Sequence, residues 1–236
     1  MGGKFRVGIK ILFKAFVMRI YMKTTPNKES VDFNYQPLLT GVLHKWLGKN
    51  NIHGELALHS FSWLKGGKKE GSSLEFRNGA TFFISFNNSD SIRQIVKNIL
   101  EDPVLFHDMR VVDVMIGEDP DLSDRETFML GSPVFIRRDV EGNDIHYSYE
   151  DKDVGRLLEE TLRHKMKIAG LPDDDTLQIE FDLRYHDKKI KMINYRNIRN
   201  KTNWCPLIIR GKPETKLFAW NVGIGNSTGV GFGSIF

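Results

Sequence analysis

A single cysteine, Cys205, stands in 236 residues, which excludes an intramolecular disulfide and a zinc site built from several thiolates. The compartment this favours is a reducing one. Long apolar runs are also lacking. The first seventeen residues are basic and apolar, but Lys10 and Lys14 interrupt them and no small-residue cleavage site follows, so they read as neither a secretory leader nor a membrane span. The expectation is a cytoplasmic chain with no membrane partner. A strong charge of one sign is missing too: a net charge of +4 permits nucleic-acid binding without requiring it. No G-x-x-x-x-G-K-[ST] occurs, and no βαβ unit with a downstream acid follows the glycines near the C-terminus. No nucleotide cofactor or resident metal is expected.

What is present is the composition of an ordinary globular chain, 40% hydrophobic and 27% charged, long enough for two modest domains. Periodicity predicts a strand over about 18–25, a helix over about 34–48, strands over 56–64 and 80–86, a helix near 89–101 capped by Asn88 or Ser89, and a strand near 104–116. That order is βαββαβ. It recurs more loosely with a strand over 129–138, a helix near 151–169, strands over 177–185 and 204–210, a helix near 213–222 and a terminal strand. The fold class is therefore α+β, two tandem ferredoxin-like domains, with boundaries at 18–116 and 117–236 and residues 1–17 as an extension or a lengthened first strand.

Four features bear on chemistry. Near the C-terminus Gly223 and Gly225 flank Ile224, five residues follow, and Gly231 and Gly233 flank Phe232, with Gly229 inside the gap. Glycines let backbone N–H groups approach a phosphate, and here Asn226 and Ser227 would add polar side chains. A tight turn before an edge strand is the plainer account. The stretch 184–210 holds Arg184, Lys188, Lys189, Lys191, Arg196, Arg199 and Lys201 against one acid, Asp187, with Tyr185, Tyr195 and Trp204 interleaved. Such residues neutralise phosphates and stack bases; a solvated, lysine-protected edge hairpin fits as well. The local charge excess tips the balance toward nucleic acid.

Three of the seven histidines, His44, His53 and His59, fall within sixteen residues. A histidine pair can cleave RNA without metal, one removing the 2′-hydroxyl proton and the other protonating the departing 5′-oxygen, while a cation stabilises the phosphorane. For any one of them a surface or capping role is the simpler reading. Cys205 sits in the apolar run W-C-P-L-I-I and reads as a buried hydrophobe rather than a nucleophile.

The terminal G-I-G-N-S-T-G-V-G-F-G, the duplicated units and the segment F-N-Y-Q-P-L-L-T-G-V-L from Phe33 resemble the CRISPR-associated repeat-processing endoribonucleases of the Cas6 family, in the repeat-associated mysterious protein (RAMP) superfamily. The likeness runs from about Met18 to the end, and its most specific motif, G-h-G, five residues, G-h-G with h apolar, is complete. It implies an endoribonuclease that cuts precursor CRISPR RNA within repeats, without metal, leaving a 2′,3′-cyclic phosphate or 3′-phosphate and a 5′-hydroxyl. His44 matches a first-helix position where relatives often place Tyr, and His53 matches the histidine after that helix, the implied general base. Some relatives carry a lysine six residues later, where this chain has His59; the stabilising charge then falls to His59 or to Lys65, Lys68 or Lys69, read as RNA-binding. The implied partner is repeat RNA. Other CRISPR effector proteins and a second copy of the chain remain open as partners, and a non-catalytic RNA-binding subunit of an effector complex is the alternative function.

Overall fold

A computed structural model describes residues 19–48 and 56–236. The expected extension 1–17, the strand start at Met18 and His53 lie outside the described residues.

The first half builds one sheet from β1 (Arg19–Thr24), β3 (His59–Phe61), β6 (Thr81–Phe86) and β7 (Val111–Gly117), in the order β3-β6-β1-β7 with every pairing antiparallel. Between them, β2 (Val31–Asp32), β4 (Lys68–Glu70) and β5 (Ser73–Glu75) make a small separate sheet, which puts Lys68 and Lys69 on an exposed strand. Helix α1 (Gln36–Leu47) starts on Pro37, whose fixed φ suits a first turn, and buries Leu39, Val42, Leu43, Trp46 and Leu47. Helix α2 (Ser89–Glu101) begins where the Asn88 side chain accepts the Ser91 N–H at 2.8 Å and buries Ile92, Ile95 and Ile99. These stripes close one core with Ile20, Phe61, Ile84 and Met109.

The second half repeats the order around its own core. Its elements are β8 (Thr127–Phe128), β9 (Val134–Phe135), β10 (Arg137–Val140), β11 (Asn143–His146), α3 (Val154–Ile168), β12 (Gln178–Phe181), β13 (Lys189–Tyr195), β14 (Ile198–Trp204), β15 (Leu207–Arg210) and α4 (Pro213–Val222). One sheet has the order β12-β15-β8, and the chain end completes it through a bridge between Leu130 and Ile235. The result is the first half's arrangement with its fourth strand cut to a bridge. The expected strand 129–138 is split, because Pro133 has no N–H to give a ladder while Met129 and Gly131 pair instead with Phe236 and Ser234. The expected strand 204–210 divides at Pro206, its two parts entering different sheets. The basic stretch is a hairpin, β13 on β14, turned at Arg196 and Asn197, both at positive φ as a tight two-residue turn requires.

Where the halves meet, α4 ends in four consecutive carbonyls that no further helical turn can satisfy. Side chains from both halves take them. Arg19 donates to Trp220 O, Ser60 Oγ to Asn221 O at 3.0 Å, and Lys165 Nζ lies 3.3 Å from Val222 O and 3.2 Å from Gly223 O. The Arg19 guanidinium is sandwiched 3.9 Å from both the Phe83 and Trp220 rings.

Candidate nucleic-acid interface

The glycine run is wedged into this junction, and its outer glycines are structural. Gly225 has φ +83°, and a Cβ there would lie 2.5 Å from Phe135 O; at Gly233, φ +64°, it would run into the Ile224 carbonyl. Ile224 N–H donates to Gly233 O and Asn226 N–H to Phe135 O, each at 2.8 Å. Gly231 O accepts from Trp63 Nε1 at 2.8 Å, and Val230 O from Gln36 Nε2 at 2.6 Å, both donors belonging to the first half. Gly223, Gly225, Gly231 and Gly233 are thus buried in packing and line no cavity with the histidines. The segment between them does: Asn226, Ser227, Thr228, Gly229 and Val230 form one wall of a cavity of about 440 Å³.

The other walls bring together distant parts of the chain. His44 and Thr40 come from α1, His59 from β3, Arg137 from β10, Lys165 from α3, and Tyr195 and Arg196 from the hairpin tip, with Leu56 and Ala57 between. No carboxylate lines it among the described residues. An anion is its electrostatic complement.

His59 is 3% exposed, stacks on Phe86 at 5.1 Å between ring centroids, and its Nε2 has no hydrogen-bond partner among the described residues. A Cβ on Gly229 would stand 3.2 Å from that nitrogen, so only glycine leaves it room. Burial pushes the imidazole down to about 4, helped by the nearby His44 and Lys165 and opposed by the Gly229 backbone. His59 is therefore neutral at neutral pH and supplies no imidazolium; the positive charge on this cavity belongs to Arg137, Lys165 and Arg196.

Lys165 is 1% exposed, and burial lowers its ammonium to about 7. Its third partner is Thr228 Oγ1 at 3.0 Å. Sequence reasoning missed it, although the signal was present: Val154, Leu157, Leu158, Thr161, Leu162 and Met166 form the buried stripe of α3, and Lys165 falls on it. A lysine on a core stripe is rarely buried without a task. Tyr195 stood out as an aromatic of the basic stretch, but Arg137 gave no such signal, because only the tertiary fold brings its hairpin beside α1.

The remaining predicted residues lie elsewhere. Lys65 Nζ sits 3.7 Å above the Phe236 ring in a second cavity of about 480 Å³, with Tyr21, Phe83, Arg125 and Trp220. Lys68 and Lys69 line neither cavity. Lys191 packs its ammonium 4.7 Å over Trp204, Arg184 pairs with Asp182, and Lys188 reaches Tyr185 O at 3.4 Å. Lys189, Arg199 and Lys201 lie along the hairpin, of which only the tip reaches the histidines. Cys205 is fully buried with its thiol raised to about 11, as expected of a structural cysteine. Among the described residues no three His, Cys, Asp or Glu side chains are grouped to hold a metal ion, and no helix is long and apolar enough to cross a membrane.

A family model described as CRISPR associated protein Cas6, C-terminal, matches residues 117–235. Among solved structures the chain resembles a CRISPR associated protein Cas6 at TM-score 0.80 and 18% identity, over 93% of this chain and 98% of the other. It also resembles the product of a Cas6-related gene from Pyrococcus furiosus, at TM-score 0.81 and 19% identity over 93% and 98% of the two chains. An RAMP protein binding different RNA substrates superposes at TM-score 0.77 and 21% identity, over 92% and 98%. At such identities the likeness is one of fold. No curated protein matches the chain.

Proposed function

Because this chain belongs to the CRISPR associated protein Cas6 family, we propose that it is an endoribonuclease that cuts precursor CRISPR RNA within repeats and needs no metal ion. The observation that supports this most is the cavity itself: two histidines and three cationic side chains, no carboxylate among the described lining residues, and a backbone wall at 226–230.

In this reading the 2′-hydroxyl proton passes to a neutral imidazole and the 2′-oxygen bonds to the adjacent phosphorus. The bond from phosphorus to the 5′-oxygen breaks, and that oxygen takes a proton from an acid. The products are a 2′,3′-cyclic phosphate and a 5′-hydroxyl. His44 and His53 share the acid and base roles. His59, neutral and buried, packs beneath the seat, while Arg137 and Arg196 bind the RNA phosphates. The 226–230 segment and the hairpin tip hold the RNA, and Tyr195 offers a ring for a flanking base. The domains are placed at 18–116 and 117–236, and the site of action is the cytoplasm.

The test is incubation of a panel of 5′-labelled CRISPR repeat RNAs with the protein in EDTA. Cutting at one position, with a 5′-hydroxyl on the downstream product, is expected. Absence of cutting, or cutting unchanged by His44→Ala together with His53→Ala, would sink the catalytic claim. A second reading, a non-catalytic RNA-binding subunit, draws support from the burial of His59 against Phe86. It predicts tight repeat binding with no new end.

A further inference from the structure

Lys165 is the one buried lysine on the cavity wall, and the reading above can proceed without it. A methionine or leucine would serve the α3 stripe at lower desolvation cost, since a buried ammonium loses its hydration. The ammonium is held by three acceptors of one segment, Val222 O, Gly223 O and Thr228 Oγ1, with no carboxylate among them. Those acceptors are the end of α4 and the start of the short 3-10 turn Thr228–Val230, on either side of Ile224 and Gly225. One side chain therefore ties the end of α4 to Thr228, at the middle of the 226–230 segment. The other titratable groups that line the cavity with Lys165 are His44 on α1, His59 on β3, Arg137 on β10, and Tyr195 and Arg196 at the hairpin tip.

We propose that Lys165 is a positioning residue of this site: its ammonium fixes the 226–230 segment opposite His59 and gives a bound RNA phosphate a buried positive charge. The proposal rests on reading the cavity as a phosphate seat. It adds a buried charge from α3 to a site whose histidines come from the first half. The lowered affinity of Lys165 for its proton, with a midpoint at about 7, supports this, because a phosphate beside it would restore the charge that burial weakens.

Two experiments test it. In single-turnover cleavage at saturating RNA and pH 7, Lys165→Met should lower the rate by at least about 10-fold while the Kd for a 2′-deoxy, uncuttable RNA changes by less than about threefold. Lys165→Arg should recover most of the rate by keeping the charge. A Lys165→Met enzyme at wild-type rate, or a Lys165→Arg enzyme that folds and is as slow as Lys165→Met, overturns the proposal. The second experiment needs no variant. The 13Cε signal of Lys165 in the wild-type chain should titrate near pH 7, and inorganic phosphate should move its midpoint upward. A midpoint that phosphate leaves unmoved overturns the proposal whatever the variants do. A wild-type protein that cuts no RNA but shows the phosphate-dependent shift would defeat the nuclease reading and leave this inference standing.

Discussion

In the first half the fourth strand, β7, runs seven residues beside β1; in the second half its counterpart is the single bridge between Leu130 and Ile235. The two halves share a strand order and differ in what their last segment does. The first spends it on an ordinary edge strand, on which Val112, Met115 and Ile116 are exposed. The second turns most of it into a glycine wedge whose buried carbonyls and amides tie α1, Trp63 just after β3, and β9 to one another. A repeated fold can thus specialise by giving up regular pairing in one copy, provided every buried backbone group finds another partner.

The comparison is broken most severely at the wedge. Gly233→Val places a β-branched residue at φ +64° against the Ile224 carbonyl, and should cost about 3 kcal/mol or more in a denaturant melt. The same exchange at Gly71, in the small first-half sheet with open space around its Cβ, should cost clearly less. Next in size, His44→Ala should slow cleavage by about 100-fold or more with RNA affinity nearly kept, since the first half is asked for proton transfer. Arg137→Ala and Arg196→Ala should instead weaken binding and each reduce the salt slope of log K by about 1, since the second half is asked for charge. A loss of rate without a loss of binding in these two would reverse the division.

The pH dependence of stability is a smaller effect. His59 is lowered to about 4 in the fold against about 6.5 in an unfolded chain, so between those values the unfolded chain binds the extra proton. Stability contributed by this residue is full above pH 6.5 and is lost as pH falls toward 4. His59→Gln should flatten that part of the profile. The smallest expected effect is that of Lys68→Ala with Lys69→Ala, on an exposed strand that lines neither cavity: binding and rate should stay within about twofold, as salt screens exposed charges outside the site.

These contrasts were unequally legible in the sequence. Helices α2 and α4 were readable to the residue, because Asn88 and Pro213 mark their starts and their ends follow the apolar stripes. Strands around Pro133 and Pro206 were not, since an apolar run shows that a segment is buried but not which sheet takes it. The stretch of β13–β14 was legible as basic and as a candidate edge hairpin, but its two strands were not delimited, since its Asn and Lys residues mask strand propensity. For the site, the sequence pointed to His44, His59, the glycine run and Arg196, which the fold brings to one cavity or its wall. For the charge it offered Lys65, Lys68 and Lys69, whereas the cations that line the cavity are Arg137, Lys165 and Arg196. Which lysine meets a histidine depends on the docking of two domains, and no local pattern encodes that.

The central claim is that RNA is seated in the cavity between the halves, against the 226–230 segment. Hydrogen exchange of the wild-type protein with and without a repeat RNA made uncuttable by a 2′-deoxy substitution tests it most directly. Slower exchange at residues 226–230 and at the hairpin tip 195–197, with none at 68–75, is the predicted result. Protection confined to 68–75 or to the edge of β7, with 226–230 unchanged, would contradict it.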